Sequence, residues 1–367
     1  MTDGKPSKIT LISVLFFAGL GLLAGLYTGI VRLRSLGIGH HFISPLSHGP
    51  IMINGFLGTL IGLERAAALE KKWSFGAPVI FAGAMVVLLF GFRTAANSLF
   101  IVGSLFLLFI MIFLYRLQRE PYHLMMIFGA VCLLTGNILL AAGYPIFNLV
   151  AWWAGFLLLT IFAERLELNR IMRPPQIARQ FFLILSMLWI TGVALTYLNR
   201  RIGWTITSIA LIAQALWLFR YDIARRTIKT SGWTRYSAIC LLSGYAWLIA
   251  AGLLGIWYGL PFGGMLYDAQ LHMLFLGFVF SMIFAHAPVI IPSLSGRRIP
   301  YHFYFYVPMI ILHWLLLIRI IGDIAFWPGV RKIGGYGNVL AILLFLGGVI
   351  FQITRGTLQH GTQLNRS

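Results

Sequence analysis

Twelve apolar runs of 17–25 residues dominate this 367-residue chain, at roughly 9–30, 45–67, 74–92, 96–115, 122–142, 145–163, 180–198, 202–219, 236–258, 267–291, 301–320 and 335–353. A helix rises about 1.5 Å per residue, so about 20 apolar residues cross a hydrocarbon core of about 30 Å. Inside lipid every backbone polar group must be satisfied within its own segment, which leaves the helix as the form each run can take. The sequence is 59% hydrophobic and 10% charged, too little charge to cover a soluble domain. The fold class read from this pattern is all-α, a polytopic membrane protein of 12 transmembrane helices forming a single integral membrane domain over residues 1–367.

The formal charge of +19 could suggest nucleic acid, but the position of the charges argues otherwise. With the N-terminus placed inside, the inner connections and their flanks carry 20 of the 28 Lys and Arg and the outer ones eight. Such a bias sets orientation, with both termini cytoplasmic and the chain in the inner (plasma) membrane. Its partner is then the lipid bilayer, with help from anionic lipid, and nucleic acid is not expected. The first apolar run follows Lys5 and Lys8 and is too long for a signal-peptide core, so it reads as the first span. Cys132 and Cys240 fall within spans and read as packing residues.

Three spans resemble one another. The second and sixth share Gly55/Gly155, Phe56/Phe156, Leu57/Leu157, Ile61/Ile161, Glu64/Glu164 and Arg65/Arg165. The tenth adds Gly277-Phe278 and His286. In each, a Gly-Phe pair is followed eight residues after the Phe by an ionisable side chain: Glu64, Glu164, His286. Spans two, six and ten of twelve are what three pseudo-repeated four-helix units would give, roughly 9–115, 122–219 and 236–353.

Ionisable groups within spans face a bundle interior or cavity and mark sites. His48 opens the second span and His272 lies near the opening of the tenth, both on the outer side. If the two helices flank one cavity, these imidazoles could hold a heme iron from opposite sides. The other reading makes His48 an interfacial capping residue and His272 a satisfied bundle histidine. On a regular helix the fourteen steps from His272 to His286 would put both on nearly one face, about 21 Å apart. Glu64, Glu164 and His286, at the inner ends of related spans, suit a metal or a proton relay, or else simply mark helix ends at the interface. His313, mid-way along the eleventh span, is a further ligand candidate. His40 and His41 in the first outer connection are copper candidates. Asn54 and Asn137 could donate hydrogen bonds to a cofactor or act as glue between helices.

The order of motifs adds a resemblance. The segment His48-Gly-Pro-Ile-Met52-Ile-Asn-Gly55-Phe56 resembles the HxHEMxxGF segment of the NnrS family. Leu271-His272 followed by Gly277, then Ser295-Gly296-Arg297, resembles that family's LHxxxxG and GHTGR segments in order. Arg319 falls where the family often has arginine. NnrS proteins are heme- and copper-containing membrane proteins distantly similar to subunit I of the heme-copper oxidases and associated with nitric-oxide stress. The resemblance implies heme held by His48 and His272, possible copper, and a role with nitric oxide or another diatomic gas. Pro50 and Ile51 stand at the family's second His and Glu, and Leu294 falls near the GHTGR histidine, so the copper set is incomplete. Two rival functions stay open: a secondary transporter using Glu64, Glu164 and His286, and a non-catalytic subunit of a membrane respiratory complex.

Overall fold

The computed structural model describes residues 8–34, 43–297 and 299–364, with His40 and His41 outside them. All regular elements among the described residues are helices, and twelve are long and apolar enough to cross a membrane. They are α1 (Ile9–Arg34), α2 (Pro45–Leu69), α3 (Lys72–Leu89), α4 (Arg93–Leu117), α5 (Pro121–Ala141), α6 (Ile146–Met172), α7 (Gln176–Leu195), α8 (Arg200–Tyr221), α9 (Gly232–Tyr258), α10 (Gly264–Ser295), α11 (Phe303–Ile324) and α12 (Pro328–Thr354). The chain is a multi-pass membrane protein. Each apolar run became one span, because hydrophobic length is the property a bilayer selects.

Residues Met1–Glu164 and Arg165–Ser367 form two compact units, the division falling inside α6. In the first, α1 lies along the middle of α2, and a Cβ on Gly21 would stand 2.9 Å from the Gly55 carbonyl. The two backbones meet there because neither residue has a side chain. A buried polar set then ties α2, α4, α5 and α6 at mid-span. Asn137 donates to Asn54 Oδ1 and to Ser104 Oγ, each at 2.7 Å, and Trp153 Nε1 donates to Asn137 Oδ1 at 3.0 Å. Asn54 and Asn137 thus join helices to one another.

In the second unit, α7 and α8 form a close hairpin around Gly192 and Gly203, where a Cβ on Gly203 would come 2.7 Å from the Gly192 carbonyl oxygen. Helix α9 packs on α8 and on α10, and α11 and α12 form a second hairpin. Asn338 donates to the Leu312 carbonyl at 2.9 Å and pins that hairpin at mid-span.

Two of the spans are not regular. Residues Ile51–Gly58 of α2 and Met273–Phe280 of α10 are π-helical. Both stretches contain the Gly-Phe pair, and both start four residues before its glycine. Ile51 to Met273, Gly55 to Gly277 and Glu64 to His286 are all one step of 222 residues (273 − 51). The sixth span carries the Gly-Phe pair too but is plain α-helix over Ile146–Leu168. The π stretch of α10 also corrects the helical-wheel expectation for His272 and His286. With i→i+5 bonding each residue turns the chain less than in an α-helix, so the two side chains lose their common phase.

Candidate functional site

Five histidines lie in the described spans, His48, His123, His272, His286 and His313, and they differ in what their ring nitrogens meet. His48 follows the short turn Pro45–Ser47 and begins the helical part of α2. Its ring lies over Gly29 of α1, where a Cβ would be 3.1 Å from Cε1, and its Nδ1 is 2.9 Å from the Gly25 carbonyl oxygen. A carbonyl only accepts, so Nδ1 carries the proton and, in the neutral ring, Nε2 holds the lone pair. Thr28, whose hydroxyl donates to the Ala24 and Gly25 carbonyls, walls the same side of the ring.

His272 has the same arrangement by a different route. Its Nδ1 is 2.7 Å from the carbonyl oxygen of Asp268 one turn earlier, with the Asp268 carboxylate 3.4 Å from the same nitrogen. Nε2 is again the nitrogen with the lone pair. A metal-bound imidazole characteristically donates its other N–H to a carbonyl or carboxylate, which fixes ring and tautomer. The two histidines expected to ligate heme therefore each fit an axial-ligand role.

His286 and His313 are held otherwise. His286 gives its Nδ1 proton to the Met282 carbonyl at 2.6 Å, and its Nε2 accepts from Arg165 Nη2 at 2.6 Å. To ligate a metal it would have to give up one of these bonds. His313 accepts at Nδ1 from the indole N–H of Trp247 at 3.0 Å. An indole only donates, so the His313 proton lies on Nε2, a buried atom that hydrogen-bonds to none of the described residues. In this tautomer its outward nitrogen is a donor and offers no lone pair to a metal.

At the opposite ends of α2, α6 and α10 the expected trio is distributed between two arginines. Arg65 donates to Glu64 Oε1 at 2.7 Å and also to Glu164 Oε1. Arg165, 2% exposed, serves His286 and lies 4.0 Å from the carboxylate of Asp222, which is fully buried. Arg65 of α2 thus reaches Glu164, and the neighbouring Arg165 reaches His286, while Ala287 follows His286 where Arg65 and Arg165 follow their glutamates. Glu64 and Glu164 are paired with Arg65, and His286 accepts from Arg165. Among the described residues no group of three or more His, Cys, Asp or Glu is placed to hold a metal ion.

Asp222 lies just beyond the end of α8. Burial pushes its carboxyl above the usual carboxylate range, while the Arg165 guanidinium and the Ala224 backbone N–H, at 2.8 Å, pull it back. The sequence reading passed over this residue because it adjoins a run of arginines and looks like an ordinary loop acid.

A second ion network went unread as well. Asp268 Oδ2 accepts from Arg319 Nη2 at 2.7 Å and Nε at 3.0 Å, and Arg331 Nη2 lies 3.3 Å from Asp268 Oδ1. Arg331 Nε in turn stands 2.9 Å from Asp323. Two acids and two arginines balance, and they tie α10, α11 and α12 together beside His272. The signal was available, since ionisable residues near span ends are costly unless paired. Their pairing across 63 residues was not.

His123 turns Nδ1 to the Gln118 carbonyl at 2.8 Å and closes the start of α5. Residues 11–354 match a protein family described as Domain of unknown function (DUF8744). No curated protein matches the chain.

Proposed function

The chain belongs to that family, and for this member we propose a heme-binding membrane protein in which His48 and His272 would each hold heme iron. The observation that supports the reading is the shared tautomer: both rings have Nδ1–H committed to a backbone carbonyl, so that Nε2 would be the coordinating nitrogen. Heme, when bound, supplies an iron centre able to take a diatomic gas or pass an electron. What the protein contributes is the orientation of each imidazole. Gly25 and Thr28 fix His48, and the Asp268 turn fixes His272 while Arg319 and Arg331 hold that turn in place. Nitric oxide or a similar small gas is the proposed ligand, on the resemblance of the His48–Phe56 and Leu271–Gly277 segments to NnrS. The charge bias between connections supports both termini in the cytoplasm and residence in the inner membrane.

A secondary transporter is the second reading, favoured by one observation, the π-helical interruptions in α2 and α10. Transporter sites are often built at broken spans. Heme content of the purified protein separates the two. The first reading expects heme at a fixed stoichiometry and a b-type band in the reduced-minus-oxidised spectrum, and one or two hemes per chain shows whether the histidines share one. Colourless protein after expression in heme-replete cells leaves the transporter. Copper is assayed on the same sample.

A further inference from the structure

The second unit carries a concentration of positive charge that the heme reading does not use. The connection from α6 to α7 and the one from α8 to α9 are about fifty residues apart in sequence, yet they are bound together. The Ile223 backbone N–H donates to Asn169 Oδ1 at 3.2 Å, and Trp217 Nε1 donates to the Ala178 carbonyl at 2.8 Å. This joins two sets of exposed bases on one end of the unit: Arg170, Arg173 and Arg179 with Arg225, Arg226 and Lys229. The acids of the same two segments offset little of this charge. Asp222 is fully buried beside Arg165, and Glu167 is half-buried.

What lies between the bases decides the partner. Ile171 and Ile177 are 70% and 77% exposed, and Leu168 is exposed beside them. A soluble polyanion has no use for bare isoleucines set among arginines. A phospholipid does, since its phosphate meets the bases while its glycerol and acyl carbons cover the apolar side chains. The location agrees, because these residues stand at or just beyond the ends of candidate spans and their connections carry the most basic runs of the chain. The geometry points to a binding site for an anionic phospholipid headgroup on these two joined connections. A lipid with two phosphates, one to each arginine set, fits best.

The test uses the full chain, purified in a neutral detergent and mixed with cardiolipin, phosphatidylglycerol or phosphatidylcholine, with bound lipid counted by native mass spectrometry. Two triple variants are made separately, R170Q/R173Q/R179Q and R225Q/R226Q/K229Q. A third, K71Q/K72Q/R116Q, removes equal charge from exposed positions of the first unit. Size-exclusion profiles select variants that remain folded, and either of the first two suffices. Expected are retained cardiolipin over phosphatidylcholine, a loss of about tenfold or more in the first two variants, and little change in the third. Ile171→Ser with Ile177→Ser should lose severalfold with every charge intact. The proposal is overturned if the third variant loses as much lipid as the others. It is also overturned if sodium pyrophosphate displaces cardiolipin at equal concentration, which would make the surface a site for soluble phosphate.

Discussion

Arg165 donates to Nε2 of His286 at 2.6 Å, across 121 residues of sequence, from a position only 2% exposed. A guanidinium so deeply set needs compensation, and the Asp222 carboxylate 4.0 Å away supplies it. Removing the cation leaves a buried acid and a half-buried histidine without their common partner. Arg165→Gln should therefore cost about 3 kcal/mol or more, and Arg165→Lys less. Thermal unfolding in detergent reads the difference; a loss under about 1 kcal/mol for Arg165→Gln would show that the pairing contributes little.

Asp222 predicts a pH dependence. Its folded-state pKa is raised, chiefly by burial, so between its ordinary value near 4 and the raised value the folded protein binds more protons than the unfolded one. Stability from this group is present below the ordinary pKa and is lost as pH rises through the raised one. Asp222→Asn cannot titrate, so its stability relative to the parent should climb as pH increases above about 4. Parallel curves for the two proteins would count against a raised pKa.

The network around Asp268 separates stability from ligand orientation. Asp268→Ala leaves Arg319 and Arg331 with Asp323 as their remaining acid in the network, and a loss of about 3 kcal/mol is expected from the stranded charge. The Nδ1 of His272, however, is held mainly by the Asp268 backbone carbonyl. In Asp268→Asn that carbonyl remains, so heme content should survive while the unfolding temperature falls. Heme lost in step with stability would mean that the carboxylate, not the carbonyl, sets the ring.

Close helix contact makes a further prediction. Gly203→Ala drives a methyl against the Gly192 carbonyl at 2.7 Å and should cost about 1–3 kcal/mol as α7 and α8 move apart. Gly83→Ala meets nothing within 4 Å and should be neutral or slightly stabilising, since alanine favours helix. Equal melting temperatures for the two would contradict the tight hairpin.

The twelve spans were legible because each is an unbroken apolar run, and the helices depart from the expected limits by no more than about nine residues at either end. The Gly-Phe repeat was legible too, and it located both π-helical stretches without revealing them. Nothing in Met273–Phe280 announces a change in hydrogen bonding, because a π turn differs in pitch and not in residue type. In α2 the one local cue is Pro50, which lacks an N–H just before the π stretch begins. The charged partners were hidden for another reason. Glu64-Arg65 and Glu164-Arg165 are neighbours in sequence, and the eye pairs neighbours. Arg65 does pair with Glu64, but it also reaches Glu164, and Arg165 turns to His286.

Heme held through Nε2 of His48 and of His272 is the central proposal, and the reduced-minus-oxidised absorbance of the purified protein beside His48→Ala and His272→Ala tests it most directly. A b-type band in the parent that is lost or shifted to a weaker-field form in each variant, with both variants still folded, is the predicted result. A colourless parent, or a band unchanged in both variants, would contradict it.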